Sequence, residues 1–426
     1  MKKKVIIPFL FGLIVLTMFS CTSNDDSKTI DPGEYVVFAW NDLGMHCLNP
    51  TYDKMVILPP YNNVYAQVIR RGAPPEIVTQ GITVEYKLTN NSYSYGKRQY
   101  SGFWDYCTSL FNTTLMHDKG LKNMGLFGEM QVQSDHFIAE GIPVTPVDDD
   151  NKYNPYQIAE ITVMDATGKI IAQTQATVPV SDEINCTKCH GANAFENILQ
   201  IHDDEEGTSL ASSTPILCAR CHGSPALGTD GPGSSGKYLS QAIHGYHSTK
   251  NASCYDCHPG ATAKCNRSIE HTNSEGKCTV CHGTMSQVAQ SIASGRIPWA
   301  SEPKCATCHS DVAQVETGST LYRNAKAHGN IYCSACHGSP HAMVPSSQSS
   351  DNYQSMQYQL GESKTMGSCG ICHRDSRGEA DDISEFVEMH GGTSPRKRIG
   401  CHVCHTKIST TTTSWPHAYQ WTNSNK

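Results

Sequence analysis

The stretch AHGNIYCSACHGSPHA, from Ala327 to Ala342, holds two cysteines and three histidines in sixteen residues. Cys333 and Cys336 are two residues apart, and His337 follows at once. His328 and His341 stand on either side. CxxC closes a very small loop, and a disulfide there has no use for the adjacent imidazole. The pattern is not local. C-x-x-C-H begins at Cys186, Cys218, Cys254, Cys278, Cys305, Cys333, Cys369 and Cys401, at intervals of 32, 36, 24, 27, 28, 36 and 32 residues.

This spacing is the pattern of covalent haem c attachment. Two thiols so placed reach both vinyl groups of one haem as thioethers. The next residue then falls under the iron, where imidazole is a good ligand. Zinc is the competing use of paired CxxC, as a Cys₄ site. It leaves the fifth position, histidine in eight of eight copies, without a role. The expectation is eight haems c. Their attachment residues are Cys186, Cys189, Cys218, Cys221, Cys254, Cys257, Cys278, Cys281, Cys305, Cys308, Cys333, Cys336, Cys369, Cys372, Cys401 and Cys404. The proximal ligands are His190, His222, His258, His282, His309, His337, His373 and His405.

Twelve of the twenty histidines remain. His46, His117 and His136 lie in the first, cysteine-poor part. His402 sits inside its own motif, badly placed for the same iron. That leaves His202, His244, His247, His271, His328, His341, His390 and His417, one for each haem. These eight are the candidate distal ligands, not necessarily for the motif nearest in sequence. His46 or His136 is the reserve.

The 426 residues allow two or three domains. A formal charge of −7 gives no general basic footprint for nucleic acid. The start, MKKKVIIPFLFGLIVLTMFSC, has Lys2 to Lys4, then an apolar run from Val5 to Phe19. That run is short for a membrane span and right for a secretory signal. Cys21 after it fits a lipidated first residue, with plain cleavage as the alternative. The expected division is a signal peptide at 1–20, a lipid-anchored tether at 21–33, a β-rich domain at 34–180 and a haem domain at 181–426. In the β-rich part, YVVFAW, VYAQVI, ITVEYKLT, QIAEITVMD and KIIAQTQATV are β-branched and several alternate with period two. DATGK between the last two marks a hairpin, and a small β-sandwich expected to fold alone is the natural architecture. The haem part shows no sustained period and is rich in Gly, Ser, Ala and Asn. Its own apolar residues do not offset chain entropy, so haem must supply its core. It is expected to be mostly irregular, with short helices.

Three cysteines are left: Cys47, Cys107 and Cys265. Cys47 with Cys107 is the expected disulfide, both being in the exported β-domain. Met45, His46, Cys47, Cys107, His117 and His136 as a copper site stands beside it. Cys265 is then a lone thiol, either structural or a redox sulfur near the third haem.

From Cys186 to His405 the chain resembles multihaem, specifically octahaem, c-type cytochromes of bacterial respiration. CYDCHPGATAKCNRSIEHTNSEGKCTVCHG resembles a segment in cytochromes of metal-reducing bacteria. AWNDLGMHC, Ala39 to Cys47, resembles a domain that accompanies them. The start resembles a bacterial lipoprotein signal, which implies an exported, outer-membrane-anchored lipoprotein on the periplasmic or cell-surface face. The cytochrome resemblance implies redox proteins as electron donor and acceptor, with self-assembly open. Two functions compete: an electron conduit of mostly bis-His haems, and an octahaem oxidoreductase acting on nitrogen or sulfur oxyanions at one open haem. No motif reads C-x-x-C-K, the variant in some multihaem reductase active sites, and the histidine count favours the conduit. A third possibility is a β-domain that docks a partner for the haems to serve.

Overall fold

A computed structural model describes residues 33–72, 74–272, 278–309, 320–359, 361, 363–367 and 369–373. The signal peptide, Cys21, His390, Cys401, His402, Cys404, His405 and His417 lie outside the described residues. Two five-stranded sheets make the first part. In one, β1 (Tyr35–Asn41), β4 (Asn62–Arg70), β9 (Phe137–Ile142) and β8 (Gln131–Val132) run side by side, with β5 (Glu76–Ile77) also on β4. In the other, β2 (His46–Cys47), β11 (Ile170–Ser181), β10 (Tyr156–Asp165), β6 (Ile82–Thr89) and β7 (Phe127–Glu129) run in that order. A short parallel pair joins β3 (Met55–Val56) to β12 (Ile216–Leu217). The expected strands are present, and DATGK turns β10 into β11 as an antiparallel hairpin.

The alternating residues explain why the sheets face each other. Val37, Ala39, Val64, Ala66, Val68, Val84, Tyr86, Leu88, Ala159, Ile161, Val163, Ala176, Val178 and Val180 share one buried cluster. Side chains two apart on a strand point to one face, so each strand contributes one row to this core. Helices α1 (Ser101–Asp105) and α2 (Cys107–Phe111) add Phe103, Trp104 and Leu110 to it.

The β-domain is not isolated. The opposite face of β1, Val36, Phe38 and Trp40, is also buried, together with Ile69 and with Tyr332, Ala335 and Ile371 of the cysteine-rich part. The edge of β1 is covered as well. Tyr358 accepts from the Val37 N–H (3.4 Å) and donates to its carbonyl (2.8 Å), and Gln354 accepts from the Ala39 N–H (2.8 Å). Side chains thus do what a further strand would do at an open edge.

Beyond Ser181 the structure is short helices and turns: α3 (Thr187–His190), α4 (Ala194–Glu206), α5 (Leu239–His247), α6 (Cys278–His282), α7 (Met285–Ala293), α8 (Cys333–His337) and α9 (Tyr353–Tyr358). This part buries few large apolar side chains, among them Phe195, Leu199, Leu239, Ile292, Tyr322 and Tyr332. A β-rich first part followed by a region of short helices and irregular chain is the fold class expected.

Candidate haem sites

Each described motif is one helical turn. Motifs one, four and six form α3, α6 and α8. Motifs two, three, five and seven are 3₁₀ turns starting at Cys218, Cys254, Cys305 and Cys369. In motifs one, two, three and five the histidine N–H donates to the first cysteine's carbonyl, at 3.0, 3.0, 2.8 and 2.7 Å. Residues i, i+3 and i+4 share a helix face. One turn therefore sets both thiols and the imidazole on the same side. Gly338 stops α8 at φ +82°, where a Cβ would stand 2.8 Å from the Ala342 carbonyl. The chain then turns back so that His341 reaches the β-domain.

The histidines come together in pairs. His190 faces His247, His222 faces His202, and His258 faces His244, with ring centres 6.3, 6.3 and 6.2 Å apart. His309 faces His271 at 6.3 Å, His282 faces His341 at 6.1 Å, and His373 faces His328 at 6.0 Å. Every pair joins one motif histidine to one histidine outside the motifs. A metal–imidazole bond is about 2 Å and the ring centre lies about 1 Å behind its nitrogen, so two rings across one iron stand about 6 Å apart. The residues present fit a six-coordinate haem at each pair.

Hydrogen bonds turn the rings to suit. The Nδ1 atoms of His244, His247 and His341 meet the carbonyls of Ser240 (2.7 Å), Ile243 (2.8 Å) and Leu43 (2.9 Å). His190 Nδ1 meets Asn197 (2.8 Å), His202 meets Thr208 (3.0 Å), and His222 meets Ser235 (2.9 Å). A carbonyl accepts only from Nδ1–H, which fixes the tautomer and leaves Nε2 as the ligand atom. Burial is the main cause that lowers His341 and His373 to about 4, so both rings are neutral at neutral pH.

Neighbouring motifs adjoin. His244 and His247 stand one turn apart on α5 and face His258 and His190. Burial first, then the Cys257 thiol, raises Cys186 to about 11. The Cys254 thiol is raised by burial, then by the charge and hydrogen bond of Cys278. Cys372 is raised to about 12 by burial, then by Cys336. Cys218 of motif two and Cys186 of motif one pack against one apolar cluster. Motif two thus adjoins one, one adjoins three and three adjoins four; His341, at motif four, follows α8 of motif six; and motif six meets seven.

The histidines of the opening stretch do not face one another. His328 meets His373, and His341 meets His282, so neither faces His337. The partner of His337 is not among the histidine pairs just described, and His390, His417 and His405 lie outside the described residues. His46, His117 and His136 are engaged elsewhere: His46 with Asp42 (2.6 Å), His136 with Asp135 (3.0 Å) and Tyr332 (3.0 Å), and His117 stacked on Tyr95. Among the described residues no group of three His, Cys, Asp or Glu side chains is arranged to hold a metal ion. The copper arrangement is therefore not assembled. Cys107 sits in the sandwich core, its thiol raised to about 11 by burial alone. The thiol that bears on Cys47 is Cys265. No spacing in the sequence marks this neighbour, which lies 218 residues from Cys47.

Residues 292–374 match the family described as cytochrome c7 and related cytochrome c. The span holds the motifs at Cys305, Cys333 and Cys369. With the motif turns, this match supports a multihaem c-type cytochrome, a family whose members bind haem covalently and exchange electrons with redox partners. Comparison with curated proteins and with solved structures gives no match. No helix of the described residues is long and apolar enough to cross a membrane.

Proposed function

We propose that this chain is an exported octahaem cytochrome that carries electrons through a series of bis-His haems to a periplasmic or extracellular acceptor. The observation that carries the reading is the six histidine pairs. In this reading the boundaries are 34–180 for the β-rich domain and 181–426 for the haem domain. Cys21 carries lipid and anchors the chain at the outer membrane. The haem supplies a one-electron couple whose potential depends on axial ligand and surroundings. The protein's part is to fill both axial positions, fix each ring through its Nδ1 bond, and hold adjacent motifs close. A distal imidazole at every iron leaves no position for a substrate, which sets conduction ahead of turnover on an oxyanion. His390 and His417 stay in the set of candidate distal ligands, outside the described residues.

The test combines intact mass with carbon monoxide binding. Denatured protein should keep eight haem increments, because thioethers survive unfolding. The reduced native protein should bind little carbon monoxide. Fewer than seven haems in matured protein overturns the octahaem count. One native high-spin haem that binds carbon monoxide and turns over nitrite, hydroxylamine or tetrathionate overturns conduction.

A further inference from the structure

The structure brings two of the three leftover cysteines to one place. Cys47 ends the short strand β2 and pairs with Ser181 of β11. Glu183, two residues on, accepts the backbone N–H groups of Thr262 (3.1 Å) and Ala263 (2.9 Å). The Lys264 N–H donates to the Tyr156 hydroxyl at 2.7 Å. The guanidinium Nη1 of Arg267 donates to the Gly44 carbonyl (2.7 Å), the Lys264 carbonyl (3.1 Å) and the Cys265 carbonyl (3.4 Å). One nitrogen thus holds the chain just before β2 and the backbone of Cys265 together. The segment 262–265 is fastened to the β-domain on both sides of β2. Burial raises the Cys47 thiol strongly, and the next contributions are the Cys265 thiol and then the Glu183 carboxylate. Cys107 does not enter there; it stands in the sandwich core.

We propose that Cys47 and Cys265 form a disulfide that joins the β-domain to the chain between motifs three and four. The inference rests on the reading of the chain as exported, since structural disulfides persist in oxidising compartments. Two S–H bonds break and one S–S bond forms. The two electrons and two protons pass by thiol–disulfide exchange to the disulfide of an exported thiol-oxidant protein, which leaves as a dithiol. The bond locks β2 to segment 262–265, which precedes His271, and Arg267, two residues past that segment, donates its backbone N–H to the His341 carbonyl (2.7 Å). It thereby ties two candidate ligands to the sandwich.

The experiment uses the full exported holoprotein, denatured without reductant, alkylated with iodoacetamide and digested for mass mapping. The expected result is a linked peptide pair holding Cys47 and Cys265, with Cys107 alkylated. Cys47→Ser should leave Cys265 alkylated with the haem count unchanged. Alkylation of both Cys47 and Cys265 in the parent protein, or a link from Cys47 to Cys107, overturns the proposal. The intact mass separates the two levels. Eight haems with both thiols alkylated sinks the disulfide alone, whereas a chain without haem sinks the reading beneath it.

Discussion

Arg267 offers the sharpest test of how the two parts of the chain hold each other. Its side chain is 1% exposed and that of Asp351 4% exposed. The pair is bidentate, Nε to Oδ2 at 2.8 Å and Nη2 to Oδ1 at 3.1 Å. The remaining nitrogen carries the carbonyls of Gly44, Lys264 and Cys265, and the guanidinium stands 5.0 Å from the centre of the Tyr156 ring. Arg267→Met keeps the length of the side chain and removes every donor. It leaves the Asp351 carboxylate buried with the Ser346 hydroxyl (2.7 Å) as its remaining side-chain donor. Breaking a buried pair from one side costs about 3–5 kcal/mol, whereas replacing both partners with apolar groups is often close to neutral. Arg267→Met should therefore destabilise by about 3–5 kcal/mol, and Arg267→Met with Asp351→Leu by about 2 kcal/mol less. Guanidinium unfolding of the oxidised holoprotein, followed by far-ultraviolet circular dichroism, reads this as an earlier midpoint at unchanged slope. A single variant within about 1 kcal/mol of the parent, or a double variant as unstable as the single, would refute the buried-clamp argument.

Three further outcomes follow from the site. His328→Ala should open the iron of motif seven rather than motif six, creating one high-spin haem that is lost again in the Cys369→Ser, Cys372→Ser background. Ring planes are near parallel in three pairs (21°, 27° and 21°) and near perpendicular in three (77°, 82° and 80°). Parallel imidazoles split the iron dπ orbitals and crossed ones leave them close together, so electron paramagnetic resonance of the oxidised protein should show rhombic and strongly anisotropic low-spin classes in comparable amounts. A single class contradicts these orientations. Cys21→Ala should move the protein from membrane to soluble fractions, because an acylated cysteine supplies most of the affinity; retention on the membrane counts against the lipid anchor.

What was legible in the sequence follows from how locally each constraint acts. Haem attachment fixes two thiols and an imidazole within five residues, so it shows as a spacing. The partner imidazole must only reach the same iron in space. His244 lies 14 residues before His258, and His341 lies 59 after His282. No offset rule finds such pairs, although a count of histidines finds the set. Strands β1, β4, β6, β10 and β11 are legible because one row of each faces the core. Strand β9, FIAEGI, is buried along nearly its whole length and does not alternate. Helices α1 and α2, five residues each, are too short to show a period. The run YVVFAW is apolar at both of its alternating rows. A strand apolar on both faces needs cover on both faces, and here the second cover is Tyr332, Ala335 and Ile371 of motifs six and seven.

That double cover bears on the β-domain as a separate unit. Residues 34–180 hold most of the sandwich core by themselves, and the prediction is that they fold alone. Cut free, however, they expose Val36, Phe38, Trp40 and Ile69 as one apolar patch. They also release the Val37 and Ala39 backbone groups that Tyr358 and Gln354 hold. An apolar, unpaired edge strand is a template for pairing with another copy. The isolated domain is therefore expected to be folded by circular dichroism but dimeric or larger by sedimentation. Trp40→Glu should return it to a monomer, because the charge lies on the exposed face of β1 and leaves the row Val37 and Ala39 untouched. A monomeric parent domain would mean that the haem region covers β1 without being needed there. A domain that does not fold at all would mean that motifs six and seven complete the sandwich.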